Sequence, residues 1–329
     1  MWATYFPVYF YFIYLAAKAR SFFFWTATNP GIETGGMFGE SKIGILDKIP
    51  DEYKPTSLFI EKGTPFANII EKMRENRVEF PIVAKPNVGE RGFLVEKIND
   101  EAALQTHLYN FDLDFIIQPF IDYDIELAIM FHRMPNEQQS KVISVTQKKF
   151  LSLTGDGQST LRELMMAYPR AILQKDKLEE RFSDKMNTVL PKGERIELEP
   201  IGNHSRGTMF LNGNHLIDQA MDDAMTTIAL QLEEIYFGRF DLKCRSIEDL
   251  KKGKHIQILE INGVGAEPAH IYDPSYPLFK VWKAVLNQWK IMFNIGVYNH
   301  RERGVPYMTL SEIKEAWYGH QRYYNEATK

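Results

Sequence analysis

The chain has 329 residues, 44% of them hydrophobic and 25% charged, enough to bury a sizeable core across two or three compact units and too apolar to stay disordered. A net charge of −4 excludes a nucleic-acid partner, because neutralising phosphates needs a basic excess. The single cysteine, Cys244, excludes an intrachain disulfide and a multi-thiolate zinc site, fits a reducing compartment such as the cytoplasm, and reads as a small buried residue.

Trp2 to Ala17 is uncharged and rich in Tyr and Phe, with Pro7 inside it and Lys18, Arg20 and Phe22-Phe23-Phe24-Trp25 behind it. The run is shorter than the ~20 apolar residues of a spanning helix, and its cations follow it, unlike those of a secretory signal. The expectation is an aromatic N-terminal helix within residues 1–27. Residues 1–25 would lie on the inner face of a membrane, where Trp and Tyr prefer to sit, or pack on the chain's own domain or on a homodimer partner.

Residues 28–78 read as a connector, with a boundary near residue 28, a Gly-rich stretch from Asn29-Pro30-Gly31 to Gly39, and a short helical stretch from Ser41-Lys42 to Ile49-Pro50. Residues 79–150 are strand-rich: FPIVAKP (80–86), GFLVEKI (92–98), FIIQPFI (115–121), IELAIMF (125–131) and KVISVTQ (141–147), with a helix over 100–110, which predicts an antiparallel sheet.

Residues 151–275 open on Thr154-Gly155-Asp156-Gly157 and a helix capped by Ser159. A charged helix over 173–187 follows, with Arg181 and Asp184 on its solvated face, then an amphipathic helix over 218–236 and strands over 238–244 and 255–261. Residues 276–329 carry helices over 278–298 and 310–325, the second opened by the capping box Thr309-Leu310-Ser311-Glu312. The histidines are scattered; His270 either orders a substrate loop or does acid–base work.

Asp241 lies on one of the late strands, with Glu260 and Asn262 on the next, and alternation puts positions i and i+2 of a strand on one face. Two carboxylates and an amide make an all-oxygen set suited to magnesium, one ion or two, or to manganese. Both acids sit inside apolar runs, where an unpaired charge is expensive.

Earlier, Lys85 ends an apolar strand before the turn Asn87-Val88-Gly89-Glu90-Arg91-Gly92, whose Gly89 and Gly92 let the backbone approach phosphate oxygens while the lysine adds a point charge. The segment around Gln118 can offer backbone groups to adenine, and the downstream carboxylate Glu126 can bind a ribose.

Lysine strand, glycine turn, hinge, glutamate strand, then R-x-D and E-x-N together resemble the ATP-grasp superfamily, in particular the carboxylate–amine ligases of the D-alanine-D-alanine ligase and cyanophycin synthetase type. The resemblance covers about residues 40–275 and is most specific in GRFDLK (238–243) and ILEINGVGAEP (258–268); TGDGQSTLRELM (154–165) resembles a cyanophycin synthetase element.

It implies an α/β (α+β) ATP-grasp fold with ATP between a first subdomain at 79–150 and a second at 151–275. It also implies Asp241, Glu260 and Asn262 as metal ligands, Arg239 as the oxyanion-stabilising arginine, Arg206 as a holder of the transferred phosphoryl group, and Lys42 as a second nucleotide lysine beside Lys85, with Gly89, Arg91, Gly92, Gln118 and Glu126 around the nucleotide. The implied reaction is magnesium- and ATP-dependent amide formation through an acyl phosphate, with small-molecule carboxylate and amine substrates. A phosphotransferase of the same fold and a nucleotide-binding regulatory protein at the membrane are the alternatives. The glycine turn lacks the serines of the dipeptide ligases, and about 50 residues between the aromatic helix and the first grasp strand are too few for their first-substrate domain, so no D-alanine specificity is implied.

Overall fold

The computed structural model describes residues 2–89, 92–110 and 113–327. It is mixed α/β, with strands β1 (Leu58–Ile60), β2 (Ile82–Pro86), β3 (Glu96–Ile98), β4 (Phe115–Pro119), β5 (Ile125–His132), β6 (Lys141–Lys149), β7 (Ser152–Thr154), β8 (Arg195–Glu197), β9 (Met209–Asn212), β10 (Phe237–Cys244) and β11 (Ile256–Asn262). They form three antiparallel sheets, in the orders β1-β4-β2-β3, β11-β10-β5-β6-β9 and β7-β8.

The four-stranded sheet buries Leu58, Ile60, Ile82, Ala84, Phe115 and Ile117 against the helices Phe66–Glu75 and Glu101–Asn110, which contribute Ile69, Met73 and Leu104. Its other face carries Val83, Lys85, Ile116 and Gln118, because alternation sends neighbouring side chains to opposite sides. The five-stranded sheet buries Leu127, Ile129, Phe131, Phe240 and Leu242 under the helix Gln219–Ala229, where the Phe131 and Phe240 rings stack at 4.3 Å. Full burial of each such side chain contributes about 1.5–3 kcal/mol. The opposite face of this sheet collects the polar residues described below.

Several elements differ from the sequence expectation for identifiable reasons. Strand β3 begins only at Glu96, because residues 92–95 form a turn in which the Val95 amide bonds the Gly92 carbonyl at 3.3 Å. The helix expected over 218–236 stops at Ala229: Asp218 caps its start, and the chain then turns through Glu234 at φ 58° into β10. The cap of helix Leu161–Ala167 is Thr160, which forms a capping box with Glu163, while Ser159 turns back to donate to Asp156 Oδ2 at 2.7 Å. The charged helix runs only over Lys175–Arg181; Arg181 at its end is exposed, as expected of a solvated face, and also donates to the Leu198 carbonyl at 2.8 Å and to buried Glu199 at 3.2 Å.

The Gly-rich stretch after residue 28 is packed tightly. Asn29 is fully buried, and its side chain donates to the carbonyls of Gly35 (3.0 Å) and Phe237 (2.8 Å) while accepting from the amides of Tyr236 and Phe237, both at 2.9 Å. That one amide fastens the segment to the first residue of β10.

The N-terminal helix Trp2–Ala19 lies along the helix Leu278–Arg303. Phe12 meets Trp289 edge-on at 5.0 Å, Phe24 meets Phe293 at 5.7 Å, and Leu15, Ala16 and Ala19 are buried. No described helix is long and apolar enough to cross a membrane.

Candidate active site

Strands β10 and β11 pair with Asp241 directly opposite Glu260 and Arg239 opposite Asn262, with a bulge just after Asp241. Strand β5 runs along the other side of β10, placing Met130, Ala128 and Glu126 opposite Arg239, Asp241 and Lys243. These side chains therefore share one face, joined there by Ser144 and Thr146, which pair with Met130 and Ala128 across the β5–β6 hairpin.

Arg239 grips Asp241 with two parallel hydrogen bonds, Nε to Oδ1 at 2.9 Å and Nη2 to Oδ2 at 3.1 Å, and reaches the Glu267 carbonyl at 3.3 Å through Nη1. Lys148 Nζ donates to Glu126 Oε1 at 2.8 Å and stands 3.7 Å from Asp241 Oδ2. Asn262 Nδ2 is 3.4 Å from the same oxygen, and Lys42 pairs with Glu260.

Burial pushes the Asp241 carboxyl up, but Arg239 and Lys148 beside it more than offset that and hold it below the ordinary range. Glu260 follows the same pattern, with Lys42 and Lys85 as the cations that pull it down. Both carboxylates are thus ionised and ringed by positive charge at neutral pH.

The facing sheet supplies two lysines. Lys85 leaves the end of β2 and donates to the Leu259 carbonyl on β11 at 2.8 Å, bridging the two sheets beside Glu260. Burial lowers its ammonium to about 8, a shift that Glu260 opposes. Lys42 is brought to the same place by Asn87, the residue after β2, whose backbone and side-chain oxygens accept from the amides of Lys42 (2.9 Å) and Ile43 (3.0 Å), with Ser41 as the helix cap. One residue thus holds both lysines in register.

The residue pattern singled out in the sequence divides into two groups. Lys42, Lys85, Glu126, Arg239, Asp241, Glu260 and Asn262 gather at the face just described. Gln118 is buried on β4 and donates from Nε2 to Ser57 at 2.7 Å.

Arg206 and Gly92 belong to a neighbouring open cleft of about 950 Å³, lined also by Glu96, Arg181, Glu199 and His320. There Arg206 Nη2 donates to the Gly92 carbonyl at 3.0 Å and Nη1 lies 3.5 Å from Glu199. Gly92 has φ 71° and sits against Asn203, whose amide nitrogen is 3.1 Å from where a Cβ would stand, so the turn closes on the 203–206 loop because this residue has no side chain. Gly89 also has positive φ, at 154°, and Arg91 lies outside the described residues.

Sequence reasoning missed Lys148, Lys243, Asn87 and Glu267. Lys243 follows Asp241 at the i+2 spacing and donates to the Ile121 carbonyl at 2.9 Å, so alternation alone could have found it. Lys148 falls on the site face only through pairing across a hairpin, which no local pattern reports. His270 is buried and neutral, lowered to about 4 by burial; its Nδ1 meets Ser144 Oγ at 2.6 Å, tying the loop after β11 to β6.

As a metal site, Asp241, Glu260 and Asn262 supply oxygen donors from adjacent, directly paired positions. The donor chemistry fits a hard divalent ion once Lys42 yields Glu260 to it. Among the described residues no group of three His, Cys, Asp or Glu side chains is poised for a metal, so the amide of Asn262 is essential to this reading.

No protein-family model and no curated protein matches the sequence. Among solved structures the chain is similar to D-alanine-D-alanine ligase from Bacillus anthracis (12% identity, TM-score 0.45, covering 80% of this chain and 69% of that one) and to the enzyme of the same name from Coxiella burnetii (9%, 0.45, 82% and 60%). It is also similar to a bifunctional glutathione synthetase from Pasteurella multocida (13%, 0.39, 75% and 36%). The chain spans from about a third to about two-thirds of the length of these structures.

Proposed function

We propose that the chain is an ATP- and magnesium-dependent ligase that joins a carboxylate to an amine through an acyl phosphate. The observation that carries this reading is the cross-sheet convergence at β11: Asp241, Glu260 and Asn262 on paired strands, with Lys85 reaching from the opposite sheet to the carbonyl of Leu259.

Lys85 and Lys42 would hold polyphosphate oxygens as point charges. Asp241, Glu260 and Asn262 would hold magnesium, which when bound neutralises charge on the phosphates. Lys243, beside the Phe120 ring and bonded to Ile121, borders the segment that would receive the base.

In the proposed reaction the substrate carboxylate attacks the γ-phosphorus, giving ADP and an acyl phosphate. The amine then attacks the activated carbonyl, and phosphate departs as the amide forms. Arg239, held by Asp241 and the Glu267 carbonyl, would be the donor that stabilises the oxyanion of that second step. Positioning and electrostatics supply the catalysis, without a covalent enzyme intermediate.

The test is ADP release from labelled ATP in the presence of pooled carboxylic acids, with and without pooled amines, followed by mass spectrometry of the products. The expected result is turnover that requires both pools and yields an amide. A phosphorylated product that forms without any amine would make the protein a phosphotransferase instead.

A further inference from the structure

We propose that the N-terminal helix Trp2–Ala19 and the exposed side of the helix Leu278–Arg303 form a platform that seats the protein on an anionic lipid surface. The first helix is apolar all round, yet only one of its sides is used by the protein. Val8, Leu15, Ala16 and Ala19 are buried inward.

Phe6, Tyr9, Phe10, Ile13 and Tyr14 recur at helical spacing on the outer side and are each more than half exposed, at 65, 58, 62, 55 and 54%. A helix apolar on every side belongs in an apolar surrounding, and a contiguous uncovered aromatic stripe marks a contact surface.

Charge selects lipid as the occupant. The chain as a whole carries −4, but residues 1–32 and 274–301 contain no Asp or Glu. Those two stretches hold Lys18, Arg20, Lys280, Lys283, Lys290 and Arg301, all exposed.

The helices lie side by side: Phe12 packs on Trp289, and Lys18 Nζ sits 5.3 Å from the Tyr14 ring centre and 5.9 Å from that of Phe293. An aromatic stripe rimmed by cations, on an otherwise acidic protein, matches the headgroup layer of an anionic bilayer, where aromatic rings sit at the interface and lysines reach the phosphates. A self-association face would gain nothing from cations on both of its halves, since the like charges would meet.

The platform is also tied to the candidate site. Tyr5, on the inner side of the same helix, donates its hydroxyl to the Glu267 carboxylate, as does Tyr272, and the Glu267 carbonyl is the one that accepts from Arg239. A surface-bound helix therefore positions the loop beside the site.

The experiment is co-sedimentation of the full chain with phosphatidylcholine vesicles and with vesicles containing about 30% phosphatidylglycerol, alongside sedimentation equilibrium without lipid. The wild type is expected in the pellet with anionic vesicles and in the supernatant with neutral ones, with binding weakened by salt. Phe6→Ser/Phe10→Ser/Ile13→Ser alters side chains on the exposed outer side and should lower partitioning roughly tenfold or more.

Lys18→Glu/Arg20→Glu keeps every aromatic residue and should lose a similar factor on anionic vesicles alone. A wild type that stays in the supernatant with anionic vesicles, or variants that pellet as the wild type does, overturn the proposal. So does a wild-type dimer that the triple variant turns into monomer while neither protein binds lipid.

Discussion

Glu260→Gln should lower ATP turnover by about a thousandfold or more while the protein remains folded. The substitution keeps the size of the side chain and one acceptor oxygen, turns the other oxygen into an NH2 donor and removes the negative charge, which is what a divalent ion between strand and phosphates requires. Its present partner, Lys42, keeps the amide oxygen of the new side chain as an acceptor.

Asp241→Ala is a poorer test, and the structure shows why. Asp241 is the bidentate partner of Arg239 and stands beside Lys148, so truncation strands a buried guanidinium, at a cost of about 3–5 kcal/mol. Loss of activity in that variant would mix unfolding with loss of the metal ligand. Asp241→Asn keeps an acceptor for Arg239 and should match Glu260→Gln in activity. ADP release and thermal melting on the same samples check both, and near wild-type turnover in a folded Glu260→Gln protein removes Glu260 from the mechanism.

The second large effect is on stability. Asn29→Ala should cost about 3–5 kcal/mol, because it leaves the Phe237 carbonyl and the amides of Tyr236 and Phe237 without their partner in a site closed to water, each worth about 1–3 kcal/mol when stranded and not fully additive, while the Gly35 carbonyl keeps the Val264 amide. The loss matters beyond the connector, since Phe237 begins the strand that carries Arg239 and Asp241. Asn76→Ala removes a single bond from an exposed helix end and should change stability by about 0.5 kcal/mol or less. Urea denaturation of both variants checks the contrast; equal midpoints would mean that Asn29 does not hold the segment.

Asn29 also shows where sequence reading runs short. Asn-Pro-Gly has the composition of a turn, and nothing local announces that the asparagine is enclosed by a strand more than 200 residues away. By contrast Arg239, Asp241, Glu260 and Asn262 were legible because each pair obeys the two-residue period of a strand and sits in an apolar run, so charge and periodicity conflict visibly.

Lys148 carries no such conflict. It lies in the middle of a polar stretch, Gln147-Lys148-Lys149, and only the β5–β6 hairpin makes it the partner of Glu126. The amphipathic helix was read too long for a related reason: Leu232 and Ile235 continue the apolar rhythm and are buried, but in a turn after the helix has ended. Periodicity reports which residues are buried and is silent on which backbone buries them.

The same limit applies to the aromatic N-terminus. Composition alone allowed packing on its own domain and contact with a membrane as alternatives, whereas the helix has one buried side and one exposed side, and the buried side delivers Tyr5 to Glu267.

The proposal that two carboxylates and an amide meet one nucleotide-bound cation is tested most directly by manganese uptake. ADP is titrated into protein with Mn²⁺ present, and free Mn²⁺ is followed by its electron paramagnetic resonance signal. Wild-type protein with ADP should remove about one to two Mn²⁺ per chain from solution, and Glu260→Gln and Asp241→Asn should remove no more than ADP alone does. Equal uptake by the wild type and both variants would contradict that proposal.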